Sequence, residues 1–238
     1  MALKATNTER FFERYPRLLE TTQTKLLPNR LAARYEIIFQ KLDVDFNDKT
    51  VLDLGSHDGR WSLAALDAGA RRVVGIEGRS DMVDEANKTL SFYGFSVNKF
   101  NFIEGDILTI LNNIIGECFD IVLNLGFFYH TIQHVEILDR LSALLPKVII
   151  TDTAISTHPG RIIQLFTENT ADPRMSLDYG TKKQGQVITG RPSQEALIMM
   201  MKVYGYDTKI HDWSMWSGPW DGIEDYRDGT RITSVSKR

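Results

Sequence analysis

The chain has 238 residues, 42% hydrophobic and 25% charged, and its 28 basic against 31 acidic side chains leave a formal net charge of −3. These proportions describe an ordinary globular protein and exclude collagen, a disordered tail and a disulfide scaffold. The near-neutral balance, without any dense Lys/Arg run, argues against a dedicated nucleic-acid binder. Cys118 is the single cysteine, so an intrachain disulfide is impossible and a reducing compartment is compatible. The opening MALKATNTERFFERYPR lacks the apolar run of a secretory leader. The longest stretch free of Asp, Glu, Lys and Arg, Ile121 to Val135, is interrupted by Asn124, His130, Gln133 and His134. No membrane span is therefore expected, and a cytoplasmic location is.

Residues 1–47 are charged and aromatic. Leu31, Tyr35, Ile38 and Leu42 fall at helical spacing, and Pro16 and Pro28 divide the region, so two or three helices forming an N-terminal cap are expected. From Lys49 to about Thr153 strand and helix patterns alternate. TVLDL and RVVGIE read as strands, with the helix RWSLAALDAGA between them. SDMVDEANKTLSFYG reads as a helix capped by Ser80 or Asp81 and ended at Gly94. KFNFIEGD, the nearly all-apolar FDIVLNLG, and KVIITDT follow as strands, with a helix marked by Val135, Leu138, Leu141 and Leu145 before the last. Such alternation builds a parallel sheet with right-handed crossovers. Residues 154–190 have weak periodicity and read as an insertion. Pro192 and Ser193 open a helix carrying Leu197, Met200, Met201 and Tyr204; YDTKIHDW and RITSVS read as closing strands. The domain carrying the sheet is expected over 48–238.

Four features carry chemistry. In VLDLGSHDGRW a strand delivers a glycine turn at Gly55 and Gly59, where the backbone can approach a ligand, and a helix N-terminus follows. Asp53 sits near the strand's end. Glu77 ends the next strand a little over twenty residues on, placed to accept both hydroxyls of an adenosine ribose. Asp106, after the third strand, is either an adenine-amine acceptor with Ile107 covering the ring or simply the cap of the next helix. NLGFFYH, Asn124 to His130, lies beyond the fourth strand, where open α/β sheets bind ligands.

Together these residues resemble a class I S-adenosylmethionine-dependent methyltransferase. DLGSHDG is similar to that family's D-x-G-x-G-x-G, matching at Asp53, Gly55 and Gly59, with His57 where the middle glycine usually sits. The resemblance implies a Rossmann-like α/β fold: a seven-stranded, mostly parallel sheet with helices on both faces and an antiparallel last strand, plus the N-terminal helical extension. It implies S-adenosyl-L-methionine as cofactor, with Asp53, Gly55, Ser56, His57, Gly59, Glu77, Gly78, Asp106, Ile107, Asn124 and Leu125 forming its site. It covers about Lys49 to Asp152 and, more loosely, the elements after Pro192. It leaves out the N-terminal helices and the insertion.

Methyl transfer requires donor and acceptor to be held in line, and a hydroxyl acceptor profits from a general base. His130 is the first candidate, followed by Asp152 and His211. Phe127, Phe128 and Tyr129 are candidates to face the cofactor cation, at least one of them being core. Trp213, Trp216 and Trp220 form either a stacking wall for the acceptor, a plug at the sheet edge or a homodimer contact. Among Arg10, Arg14, Arg30 and Arg34, one could bind a ligand carboxylate. No tight metal-ligand spacing is present, and no metal is expected. The leading expectation is methylation of a small-molecule acceptor, most naturally on a hydroxyl oxygen. Three alternatives stand beside it. The first is tRNA modification, because LGFFYH is similar to a stretch in the wobble-uridine tRNA carboxymethyltransferases. The second is an NAD-dependent oxidoreductase, and the third a non-catalytic protein that keeps the fold.

Overall fold

The computed structural model describes residues 8–21, 27–172, 175–177 and 185–238. Parts of the expected 1–47 cap and of the 154–190 insertion therefore lie outside the described residues. The described residues open with helices α1 (Thr8–Arg14), α2 (Arg17–Thr21) and α3 (Pro28–Glu36), the last running into a π-helical turn at Ile37–Lys41. Pro28 opens α3 at a position whose N–H would have no helical partner. Phe11, Leu18, Leu31, Tyr35 and Ile38 are buried, and Phe11 stacks on Tyr35 with ring centroids 4.1 Å apart. The aromatic character of this segment is thus spent on packing against the sheet domain.

The alternating region then runs β1 (Thr50–Leu54), α4 (Arg60–Asp67), β2 (Arg72–Glu77), α5 (Ser80–Phe92), β3 (Phe100–Glu104), α6 (Ile107–Asn113), β4 (Ile121–Leu125), α7 (His134–Ala143) and β5 (Val148–Ala154). Two strands, β6 (Ile163–Asn169) and β7 (Gln186–Pro192), precede α8 (Gln194–Val203), β8 (Asp207–Ile210), α9 (Glu224–Arg227) and β9 (Arg231–Lys237).

Seven strands form one sheet in the order β3-β2-β1-β4-β5-β9-β8. The neighbours from β3 to β5 are parallel, and β9 runs antiparallel to both β5 and β8. This is the expected Rossmann-like sheet. Alternate residues of the central strands serve opposite faces: Val51 and Val73 join α4, α5 and the N-terminal helices in one core, while Leu52, Val74 and Val122 join α6, α7 and α8 in the other. Strand order reverses between β1 and β4, so a crevice opens beyond their carboxyl ends.

Two local expectations are corrected. Helix α5 is preceded by Arg79 with no side-chain cap, not by a capping Ser80 or Asp81; the Arg79 N–H goes instead to Glu77 Oε1 at 3.0 Å. Residues 154–190, where weak periodicity marks no strand, carry β6 and most of β7, which pair antiparallel from Ile163–Pro192 to Asn169–Gln186. The Gly190 N–H donates to the Thr131 carbonyl at 2.9 Å. A Cβ at Gly190 would lie 2.6 Å from Ile163 Cγ2 and 3.2 Å from His134 Cε1, so the glycine lets the hairpin seat against the loop after β4.

Candidate active site

A cavity of about 1480 Å³ opens beyond the carboxyl ends of the strands, more room than one drug-sized ligand needs. Its wall includes Gly55, His57, Glu77, Gly78, Asp106, Ile107, Leu125, Phe127, Tyr129 and His130.

The glycine turn is built by backbone conformation. Gly55 and Gly59 have φ of +66° and +78°, and His57 between them has φ +52°. The position where the family pattern has its middle glycine is thus left-handed here too, a region histidine enters more readily than most residues. The His57 N–H donates to Glu77 Oε2 at 2.9 Å. Glu77 is nine-tenths buried and ties the turn to the start of α5 through one oxygen each.

Gly55 leaves a narrow gap, since a Cβ there would lie 3.1 Å from the Phe127 side chain. Gly59 has a different job. A Cβ would meet Ala86 Cβ at 2.9 Å and Phe102 Cζ at 3.0 Å, so it lets α4 pack closely and does not line the cavity. Asp53, Ser56 and Asn124 are also buried behind the wall. The Ser62 hydroxyl donates to Asp53 Oδ2 at 2.7 Å. Burial pushes the Asp53 carboxyl up to about 7, against the pull of that bond. Asp58 pairs with Arg60, Oδ1 to Nε at 2.7 Å; although burial opposes its ionisation, Arg60 and His57 hold its carboxyl below the usual range. Asp106 caps α6 by accepting from the Thr109 N–H at 2.9 Å while also facing the cavity.

On the other side, Phe128 is core and Phe127 and Tyr129 face the cavity. His130 Nδ1 lies 2.7 Å from Glu168 Oε2 on β6. The Ser176 hydroxyl donates to that same oxygen at 2.7 Å, and burial of Glu168 is outweighed by His130 and Ser176, which lower its carboxyl. His134 is fully buried, with Nε2 2.9 Å from the Phe128 carbonyl; it holds the loop.

The other two candidate bases are corrected. Asp152 is fully buried and absent from the cavity wall. It accepts from the Tyr226 hydroxyl at 2.8 Å, Arg231 Nε at 2.7 Å and the Thr233 hydroxyl at 2.7 Å, with a guanidinium nitrogen of Arg34 at 3.2 Å. Burial opposes its charge, but Arg231 and Arg34 hold its carboxyl well below the usual range. An aspartate so engaged anchors arginines and takes no proton from a ligand. His211, after β8, packs edge-on to Trp213 at 5.6 Å and lies off the cavity. The tryptophan wall is corrected too. Trp213 is buried against Tyr226 at 3.9 Å, Trp216 and Trp220 pack on that cluster, and none of the three lines the cavity. Of the N-terminal arginines, Arg14 pairs with Asp67 and Arg30 with Asp225, Arg34 is buried on the cavity wall, and the Arg10 side chain is outside the described residues.

Sheet order, glycine turn and the acidic residue ending β2 together have the arrangement of the class I S-adenosylmethionine-dependent methyltransferase fold. Residues 51–147 match the family model described as a methyltransferase domain. Ribosomal RNA large subunit methyltransferase I of Cronobacter sakazakii is 28% identical over 78 residues, 32% of this chain and 20% of that protein. The chain thus matches only about a fifth of the length of such curated relatives. Among solved structures, the N-terminal domain of EvdMO1 with SAH and D-fucose has a TM-score of 0.61 at 16% identity, covering 97% of this chain and 81% of that one. Magnesium protoporphyrin IX methyltransferase of Synechocystis with SAH has a TM-score of 0.56 at 16% identity, covering 98% and 96%. At such identities the likeness is one of fold. No helix among the described residues is long and apolar enough to cross a membrane.

The residues fit the cofactor. A buried carboxylate on the cavity wall retains acceptor capacity beyond its two backbone donors. The gap at Gly55 would be filled by any Cβ. Ile107, Leu125 and Phe127 offer apolar surface nearby.

Proposed function

We propose that the protein methylates a hydroxyl oxygen of a small-molecule acceptor, with His130 as general base. S-adenosylmethionine, when bound, supplies an electrophilic methyl group on a sulfonium. Glu77 accepts the ribose hydroxyls, Gly55 and Gly78 give backbone access, Asp106 takes the adenine amine, and Ile107 and Leu125 cover the ring. Asp53, Ser56, Gly59 and Asn124 shape these elements from behind.

The observation that carries the reading is the pairing of His130 with Glu168 on the cavity wall. Donation from Nδ1 to the carboxylate fixes the tautomer and leaves Nε2 as the nitrogen that receives the acceptor's proton. Glu168 is a positioning residue, acting on the acceptor through His130. The hairpin β6–β7 carries Glu168 and adds Leu165, Val187 and Ile188 to the wall, which supports a role in holding the acceptor and excluding water.

Calorimetry with S-adenosylhomocysteine, followed by an acceptor screen that reads its release, tests the proposal. No binding at high micromolar ligand ends it. A second reading, RNA modification, is favoured by the curated relatives, which are named as ribosomal RNA methyltransferases. A salt-dependent RNA gel shift decides between the two.

A further inference from the structure

Arg34 and Arg231, both on the cavity wall, have one carboxylate between them. They are 7% and 5% exposed. The shared carboxylate is Asp152, at 3.2 and 2.6 Å. The neighbouring Arg30 and Arg60 have their own acids, Asp225 and Asp58. Within this cluster two guanidiniums therefore face one carboxylate, and one positive charge is left over. Moreover, Arg34 Nε and one of its terminal nitrogens make no hydrogen bond among the described residues, its approach to Asp152 being an ion pair only. A buried guanidinium with idle donors is costly unless a ligand completes it.

The two guanidiniums converge on a backbone position without a side chain. Gly126 has φ +101°, and a Cβ there would lie 3.6 Å from an Arg231 terminal nitrogen and 3.7 Å from one of Arg34. Gly126 follows β4, and its N–H donates to the Asp152 carbonyl at 2.9 Å. This spot lies over β4, β5 and β9, whereas Glu77 and Asp106 lie over β2 and β3. It is also on the loop that carries His130.

The geometry points to a carboxylate subsite beside Gly126, in which Arg34 and Arg231 anchor the acceptor through a carboxylate group. The inference rests on the transferase reading above and names what the acceptor carries. A single surplus charge matches a monoanion, and a guanidinium fork matches a planar carboxylate. Ile132, Leu165 and Ile188 on the same wall are apolar, so the acceptor is a hydroxy acid with an apolar body.

Protein saturated with S-adenosylhomocysteine is titrated calorimetrically with hydroxyphenylpropionate and with its carboxamide, which keeps the shape and removes the charge. The acid is expected to bind about tenfold tighter or more. Arg34→Gln should abolish that preference while keeping its affinity for S-adenosylhomocysteine, and Arg34→Lys should restore part of it. Equal affinity for acid and amide, or no preference at millimolar probe, overturns the subsite. So does an Arg34→Gln variant that loses S-adenosylhomocysteine as strongly as the acid, because the group held there is then the cofactor's own carboxylate. If wild-type protein binds no S-adenosylhomocysteine, the transferase reading fails instead, and the acid–amide comparison on the protein alone still decides the subsite.

Discussion

Two buried aspartates lie near the carboxyl ends of β1 and β5, and their environments are opposite. Asp53, on β1, has one hydroxyl donor at 2.7 Å, and burial raises its carboxyl to about 7. Asp152, on β5, faces two guanidiniums, a phenol and a hydroxyl, which together depress its carboxyl despite complete burial. The glycine-turn side of the cavity is thus organised by backbone conformation and close packing, and the side under β5 and β9 by a network in which two guanidiniums share one carboxylate. Burial alone does not decide the state of a carboxylate; the partners brought to it do.

The sharpest way to break the comparison is at the proposed base. His130→Ala should lower methyl transfer by about 10²- to 10⁴-fold while leaving S-adenosylhomocysteine affinity unchanged by calorimetry. Unimpaired turnover would move the chemistry elsewhere. Glu168→Gln should lower kcat by about tenfold or more with little change in KM for the cofactor, and Glu168→Asp should recover part of the loss. A purely structural Glu168 would give no such split.

Next in size, Asp152→Asn leaves two buried guanidiniums without their counter-charge. Urea unfolding should show a loss of about 3–5 kcal/mol. Because its folded carboxyl is depressed, Asp152 contributes stability that is present above its unfolded value of about 4 and lost as pH falls through the folded one.

Asp53 has the opposite sign. Its raised carboxyl means the folded state holds a proton that the unfolded chain releases, so its contribution is full below about pH 4 and is lost as pH rises to about 7. Asp53→Asn should flatten that fall in denaturation midpoints measured across the window; an unchanged slope would contradict the assignment. The smallest effect is expected at the turn: His57→Gly should relieve a left-handed side chain and change stability by no more than about 1 kcal/mol.

The two halves also differ in how legible they were. The strands and helices of 49–153 follow from local periodicity and turn residues, and the glycine turn and Glu77 lie within one strand–helix–strand unit. Glu168, by contrast, sits in a segment of weak periodicity. Its meaning depends on a hairpin that places it against His130, 38 residues away. Asp152 read as a candidate base because it ends a strand beside the expected crevice, yet Arg231, 79 residues on in sequence, turns it into an anchor. His211 and the tryptophans had the right chemistry for a pocket and the wrong place in the fold.

The amino-acid sequence by itself determined the alternating elements, the glycine turn with the acid ending β2, and hence the fold and cofactor class. These depend on interactions between residues close along the chain, whose spacing repeats the geometry of helix, strand and turn. Only the tertiary structure decided which of the candidate bases lies on the cavity wall, which carboxylate it pairs with, and that two arginines share one aspartate beside Gly126. Those pairings join α3, β5, β6 and β9, and no local pattern encodes which distant elements meet when the sheet closes over its two cores.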